Sequence, residues 1–318
     1  MLLFDLDAAG TLAHDIAAGL DIVIAPHEQR VFEDGERKLR PLVDPRGDDV
    51  YVLQGLHGGP QDSPHDKLFG LLMFIAALRD HGAARVSAVL PYMAYGRKDR
   101  RTKPFDPLGQ RYLAQLMESV GTAQVFVLEA HNPAALENAF RCPAQLLQAH
   151  EAFTEFALQQ AGAPLVVASP DPGGVKRAQL WREALQARLR QPVGFAMVDK
   201  RRSEGVVSGF DLVAGEVKGA TVLLLDDLIA TGGTLLRAAR SLRAAGAQRV
   251  VACAAHGLFV GPAHELLADP AIDRVVVSDS VPAFRVPAES PLRAKLLTVS
   301  AAPLFVRALR ESHAAWSR

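Results

Sequence analysis

The sequence predicts an α/β chain of two tandem halves, each a mainly parallel sheet flanked by helices. Three observations carry that expectation. Short runs of apolar and β-branched residues alternate with longer runs of helical periodicity, the pattern of parallel strands joined by crossover helices. The alternation restarts after about residue 146. The 318 residues also exceed the usual span of one domain, roughly 100 to 200 residues, so two similar halves each large enough to bury a core are the economical solution.

In the first half, DVYVLQ (49–54) reads as a strand, DKLFGLLMFIAALRDHG (66–82) as a helix and RVSAVLPY (85–92) as a strand. A helix then runs from Pro107, and QVFVLEAH (124–131) is the next strand. Asp106 is the expected N-cap of that helix, Pro107 its first residue, and Gly121, just past QRYLAQLMESV, the glycine that ends it. The second half opens with LVVASPD (165–171) and a helix over VKRAQLWREALQARL (175–189). It continues through VGFAMVD (193–199), TVLLLDD (221–227), a helix after Gly233 and RVVACAAHG (249–257). The expected division is 1–145 and 146–302, with a closing helix at 303–318 assigned to the first half.

Lys plus Arg number 35 and Asp plus Glu number 35, so no overall field points to nucleic acid or an anionic membrane as partner. The two cysteines, Cys142 and Cys253, are too few and too far apart for a disulfide framework or a zinc site, which fits a reducing compartment. The start lacks a basic region ahead of an apolar one, and the longest apolar run, LFGLLMFIAAL, is well short of the ~20 residues that span a bilayer. A cytoplasmic protein that binds neither nucleic acid nor membrane is expected, and any phosphate chemistry must come from local arrangement.

The stretch LLLDDLIATGGTLLRAA (223–239) supplies such an arrangement. TVLLL is a buried-strand pattern, and Leu235, Leu236, Ala238, Ala239 and Leu242 fall on one face of a helix that Gly246 ends. The intervening loop sits at the carboxyl end of a strand and the amino end of a helix, where unpaired amides and the helix dipole face whatever occupies the space. Gly232 and Gly233 let an anion approach the backbone, and Thr231 and Thr234 add hydroxyl donors. Two carboxylates would repel a phosphate, so Asp226 and Asp227 need another partner, and sugar hydroxyls or a shared magnesium ion serve. A phosphorylated ribose satisfies both parts. Alone, paired acids are more often a solvated strand edge and a glycine pair a plain turn; the ordered combination of strand, acids, threonine, glycines, threonine and helix favours the ligand.

LLLDDLIATGGT resembles the phosphoribosyl diphosphate loop shared by type I phosphoribosyltransferases and ribose-phosphate diphosphokinases. Other segments decide between them. RVFEDGE (30–36), LPYMAYGRKDRR (90–101), EAHNPAALENAF (129–140), VVASPDPGGVKRA (166–178) and VDKRR (198–202) are similar to ribose-phosphate diphosphokinase motifs, in that family's order along nearly the whole chain. The resemblance implies two tandem phosphoribosyltransferase-like (type I) domains, with ribose 5-phosphate on the second and ATP between the domains and against a neighbouring subunit of a dimer or hexamer. It implies transfer of the β,γ-diphosphoryl group of ATP to the C1 hydroxyl of ribose 5-phosphate, with Mg2+ as cofactor.

Residue by residue, the resemblance puts Phe32, Asp34, Gly35, Glu36, Arg97, Lys98, Asp99 and His131 at ATP, and His131 and Asp171 at the metal. It puts Asp226, Asp227, Ala230, Thr231, Gly232, Gly233, Thr234 and Arg202 at ribose 5-phosphate, and makes Lys200 and Arg202 the catalytic pair. The chemistry agrees, since no G-x-x-x-x-G-K-[ST] occurs and cations must come from side chains and metal. An aromatic ring stacks on adenine, and an arginine meets phosphate oxygens in fork geometry. Three departures stand out: Lys98 where most members carry glutamine, Ala230 in place of an acid, and the residues between His131 and Phe140. The first bears on nucleotide preference or affinity, the second leaves anion binding by the backbone intact, and the third bears on subunit contacts or regulation. Two rivals remain, a non-catalytic regulatory relative and a phosphoribosyltransferase; the retained cationic residues argue against the former and the ATP-type tracts against the latter.

Overall fold

The structure, a computed structural model, describes residues 1–7, 10–160, 164–199 and 211–317. The chain folds as two compact units, Met1–Gln148 together with Ala301–Arg318, and Ala149–Ser300.

The first unit begins with β1 (Leu2–Asp5) and α1 (Leu12–Leu20), followed by a hairpin of β2 (His27–Val31) and β3 (Arg37–Pro41). β4 (Asp49–Leu53), α2 (Pro64–Asp80), β5 (Arg85–Leu90), α3 (Gly109–Ser119), β6 (Gln124–Leu128), α4 (Pro133–Ala139) and β7 (Ala144–Leu147) complete it. Five strands form one parallel sheet in the order β1-β4-β5-β6-β7, while β2 and β3 pair antiparallel as a sheet of their own. Every residue of β4 is buried, which explains its unbroken apolar run. α2 starts on a capping box, with Ser63 Oγ accepting from the Asp66 amide and the Asp66 carboxylate accepting from the Ser63 amide.

α3 does not start where the sequence places it. It begins at Gly109, its N-cap is Leu108, and no side chain caps it. Asp106 turns away from the helix because stronger donors lie upstream: its Oδ2 accepts from Lys98 Nζ at 2.6 Å and from the Thr102 and Lys103 amides at 3.0 Å each. Gly121 does sit just beyond the helix, at φ +90, where a side chain would be strained.

The second unit runs through α5 (His150–Leu158), β8 (Leu165–Ser169), a 3-10 turn (172–174), α6 (Val175–Leu189), β9 (Gly194–Asp199) and β10 (Leu212–Ala214). Then come β11 (Thr221–Ile229), α7 (Gly233–Ala244), β12 (Arg249–Gly257), α8 (Ala263–Leu266), β13 (Arg274–Ser278) and β14 (Leu296–Val299). Seven strands lie in the order β10-β9-β8-β11-β12-β13-β14, parallel except for the β10–β9 pair. The connection from β8 through α6 leads one way along this sheet, and that from β11 through α7 leads the other. Right-handed crossovers therefore put α6 and α7 on opposite faces and open a crevice at the carboxyl ends of β8 and β11.

The last helix, α9 (Ala302–Trp316), returns to the first unit and packs on α1, where Gly19 makes room for Val306. Its end is tied down by fully buried Asp49, whose carboxylate accepts from Arg85 Nε and Nη2 at 2.7 Å each and from Tyr51 Oη at 2.9 Å, and which lies 2.8 Å from His313 Nδ1. With a forked guanidinium and two further partners, this carboxylate has the complete set that a buried charge requires.

Candidate functional site

In the second unit the predicted residues gather at the crevice between β8 and β11. The strand β11 holds both acids, as expected, and runs two residues past the expected end at Asp227 to Ile229, pairing Asp226 with Ala254 and Leu228 with His256 of β12. Asp226 and Asp227 are strand residues near the carboxyl end of β11, and their carboxyls are close enough to interact directly. The extra length has a visible cause. Leu258 and Phe259 amides donate to the Ile229 carbonyl at 2.9 and 3.2 Å, and the Val260 amide to Ala230 at 2.9 Å, which holds the strand straight up to the turn.

Asp227 is 6% exposed. Burial and the charge of Asp227 push the Asp226 carboxyl up to about 8, against lowering contributions from the Asp227 amide, which it accepts at 2.9 Å, and from Arg177. A carboxyl whose charge is disfavoured by burial, beside a second acid, is an arrangement typical of functional sites.

Past Ala230 the chain turns at Gly232, φ +80, which is the N-cap of α7. The first-turn amides of α7 have no carbonyl four residues back to bond, so they point at the crevice. The two glycines serve different ends. A Cβ on Gly232 would lie 3.0 Å from Leu267 Cγ on a left-handed backbone, whereas a Cβ on Gly233 meets only Thr231 Oγ1 at 4.0 Å. Gly232 is required by the fold, and Gly233 leaves open space. Gly232→Ala is therefore expected to lower stability by about 1–2 kcal/mol, read as a drop in Tm, while Gly233→Ala should leave Tm in place and weaken any anion held by the α7 amides.

Asp171 stands across the crevice, just past β8. Its Oδ1 accepts from the Gly173 and Gly174 amides at 3.0 and 3.3 Å, which fixes the carboxylate at the start of the 3-10 turn. Gly174 is confined as well, since a Cβ there would lie 2.6 Å from Ser169 Oγ.

In the first unit the structure brings together the 97–99 loop and His131. Both follow strands of one sheet, β5 and β6, and Asn132 bridges them: its Nδ2 donates to Asp99 Oδ2 at 2.7 Å while its Oδ1 caps α4 by accepting from the Ala135 amide at 3.2 Å. Two non-glycine residues adopt left-handed backbone immediately upstream, Tyr95 at φ 62 and Glu129 at φ 51. Such conformations persist only where the surroundings impose them, and they collect at ligand sites. Phe32, Asp34, Gly35 and Glu36 form the tip of the β2–β3 hairpin, on a different sheet from that loop. Gly35 takes φ +93 there, the Glu36 amide donates to Asp34 Oδ1 at 3.1 Å, and Arg30 lies over the Phe32 ring at 4.9 Å.

Lys200 and Arg202 lie outside the described residues. No group of three or more His, Cys, Asp or Glu that could cage a metal occurs among the described residues. Asn132 is a residue of this region that sequence reasoning did not select, although Asn132-Pro133 is a helix-start signature, and Asp106 was selected only as a helix cap.

Comparison with known proteins completes the description. Residues 1–121 match the family model for the N-terminal domain of ribose phosphate pyrophosphokinase, and residues 143–288 that for the phosphoribosyl transferase domain. The ribose-phosphate pyrophosphokinase of Caldanaerobacter subterraneus is 35% identical over 303 residues, which is 95% of this chain and 91% of the relative. The Aquifex aeolicus enzyme of the same name is 33% identical, covering 94% and 92%. Among solved structures, phosphoribosylpyrophosphate synthetase from Mycobacterium smegmatis superposes with a TM-score of 0.87 at 30% identity, over 99% of both chains.

Proposed function

We propose, from the premise that this chain belongs to the ribose-phosphate pyrophosphokinase family and is an enzyme of that kind, a division of labour among its residues. The reaction moves the β,γ-diphosphoryl group of ATP to the C1 hydroxyl of ribose 5-phosphate, giving 5-phosphoribosyl 1-diphosphate and AMP.

The observation that carries the assignment is the β11–α7 turn, with carboxylates on the strand and free amides on the helix at a topological switch point. The amides of residues 231–234 and the hydroxyls of Thr231 and Thr234 hold the 5-phosphate. Asp226 and Asp227 accept from the ribose hydroxyls. Ala230 contributes only backbone, so the acid missing there removes a repulsive charge and no donor.

On the ATP side, Arg97 meets the phosphates, with Lys98 and Asp99 in the same loop, and Phe32 with Asp34, Gly35 and Glu36 receives the adenine. His131 and Asp171 are the residues that would hold Mg2+, which when bound would supply neutralisation of the ATP phosphate charge. Lys200 and Arg202 stabilise the charge that builds on the bridging and non-bridging oxygens as the diphosphoryl group passes in line between AMP and C1. Arg202 also faces the sugar phosphate. The protein works as a cytoplasmic homo-oligomer with the ATP site near a subunit interface.

Purified protein given ATP, Mg2+ and ribose 5-phosphate should release AMP in step with 5-phosphoribosyl 1-diphosphate. No AMP, or release of pyrophosphate from 5-phosphoribosyl 1-diphosphate when a base is supplied and ATP is absent, overturns this reading.

A further inference from the structure

The loop between β5 and α3 closes on one carboxylate. Besides Lys98 Nζ and the Thr102 and Lys103 amides, Asp106 Oδ2 accepts from Thr102 Oγ1 at 2.8 Å, and Lys98 Nζ reaches Thr102 Oγ1 at 3.3 Å. Arg101 Nε donates to the Asp106 carbonyl at 3.1 Å. The two ends of the loop also touch, since a Cβ on Gly109 would lie 3.4 Å from Tyr95 Cβ and 3.7 Å from Lys98 Cβ. The arrangement is a small ring with Asp106 at its neck.

An isolated exposed ion pair contributes little. This one differs because a single oxygen gathers an ammonium, a hydroxyl and two backbone amides, and so sets the path of the chain. Those donors, Lys98 first among them, hold the Asp106 carboxyl well below the usual carboxylate range. Arg97 and Arg100, by contrast, are exposed and form no ion pair among the described residues. The cations of the loop divide into Lys98 and Arg101, engaged at the neck, and Arg97 and Arg100, turned outward.

We propose that Asp106 is a positioning residue for the nucleotide loop and that Lys98 is its internal strut, its ammonium directed to Asp106 and Thr102 rather than to a phosphate of ATP. The inference rests on the reading of residues 97–99 as the ATP loop. It accounts for the lysine at position 98: with its charge matched inside the ring, the nucleotide meets a locally neutral wall, as it would beside glutamine.

The test measures KM for ATP and kcat by AMP formation in Lys98→Met, Asp106→Asn, the double variant and Arg97→Ala, at several salt concentrations. Loss of the strut from either end should raise KM for ATP by a similar factor, roughly three- to tenfold, with the effect on KM rather than kcat. The double variant should be no worse than the poorer single, because both changes break one unit. Lys98→Met should keep the wild-type dependence of KM on salt, since no phosphate contact is lost, while Arg97→Ala should flatten it.

The proposal is overturned if Lys98→Met raises KM and flattens the salt dependence while Asp106→Asn lowers KM, which is the signature of a lysine acting on phosphate. It is equally overturned if neither single variant moves KM. Should Asp106→Asn fail to fold, Thr102→Val loosens the same neck and must itself raise KM for ATP. If Arg97→Ala leaves KM for ATP unchanged, the ATP-loop reading fails and takes this inference with it. If Arg97→Ala raises KM and the Lys98 and Asp106 variants do not, only this inference fails.

Discussion

Replacing Lys200 with alanine is expected to lower kcat by roughly a hundredfold, about 3 kcal/mol of barrier, with KM for both substrates little changed. The reasoning is electrostatic. A loosely bonded diphosphoryl group in flight carries more charge on its flanking oxygens than it does in bound ATP, so a cation held beside it stabilises the transition state more than the ground state. An interaction made only in the transition state lowers kcat and kcat/KM by the same factor. Arg202→Ala should differ: a residue that also holds the sugar phosphate raises KM for ribose 5-phosphate as kcat falls. Steady-state kinetics with each substrate varied separates the two. A Lys200→Ala enzyme whose kcat stays within threefold of the parent removes Lys200 from the chemistry.

How much of this was readable beforehand differs between elements, for physical reasons. The helix at 175–189 and the strand at 249–257 appear with the bounds the sequence gives them, because apolar periodicity and flanking turn residues agree there. The hairpin of β2 and β3 did not stand out. Its strands HEQRV and RKLRP are mostly polar, since they form a two-stranded sheet with much of its surface exposed, and period-2 patterning needs one buried face. Short β10 and β14 at the sheet edges lack a periodic signal for the same reason of length.

The misplaced start of α3 illustrates a different limit. Asp-Pro ahead of an apolar period is a sound local start signal, but a local rule cannot weigh Lys98, Thr102 and Lys103, whose donors reach Asp106 only once the loop has closed. The strand read as 221–227 missed the extension of β11 through Leu228 to Ile229 because the cause lies some thirty residues away, in the 258–260 amides that pin Ile229 and Ala230. In both cases the residue types were identified correctly and their partners were not, which is the usual boundary between pattern and tertiary structure.

Binding of ribose 5-phosphate should become tighter as pH rises from about 7 to 9, and Asp226 is the reason. Its carboxyl sits at about 8 because burial and Asp227 disfavour the charge. If ribose hydroxyls donate to both oxygens of Asp226, the ionised form is the one that binds, and free enzyme near pH 7 should release a proton on binding. KM for the sugar phosphate should then fall up to roughly tenfold per pH unit until pH passes about 8. The phosphate's own second ionisation, near pH 6, lies below this window and does not mimic it. Stability runs the opposite way. A carboxyl with a raised folded pKa holds a proton that the unfolded chain has lost, so its contribution is complete below the unfolded value, about 3.9, and is lost as pH climbs through about 8. Asp226→Asn removes both trends: its stability should exceed that of the parent above pH 8 by an amount on the order of a few kcal/mol, read as a higher Tm, and converge toward it in acid. Its KM should be high and flat from pH 7 to 9. Calorimetry at pH 7 in buffers of different ionisation enthalpy counts the released proton directly, and a count of zero with a flat parental KM profile would remove Asp226 from contact with the ribose.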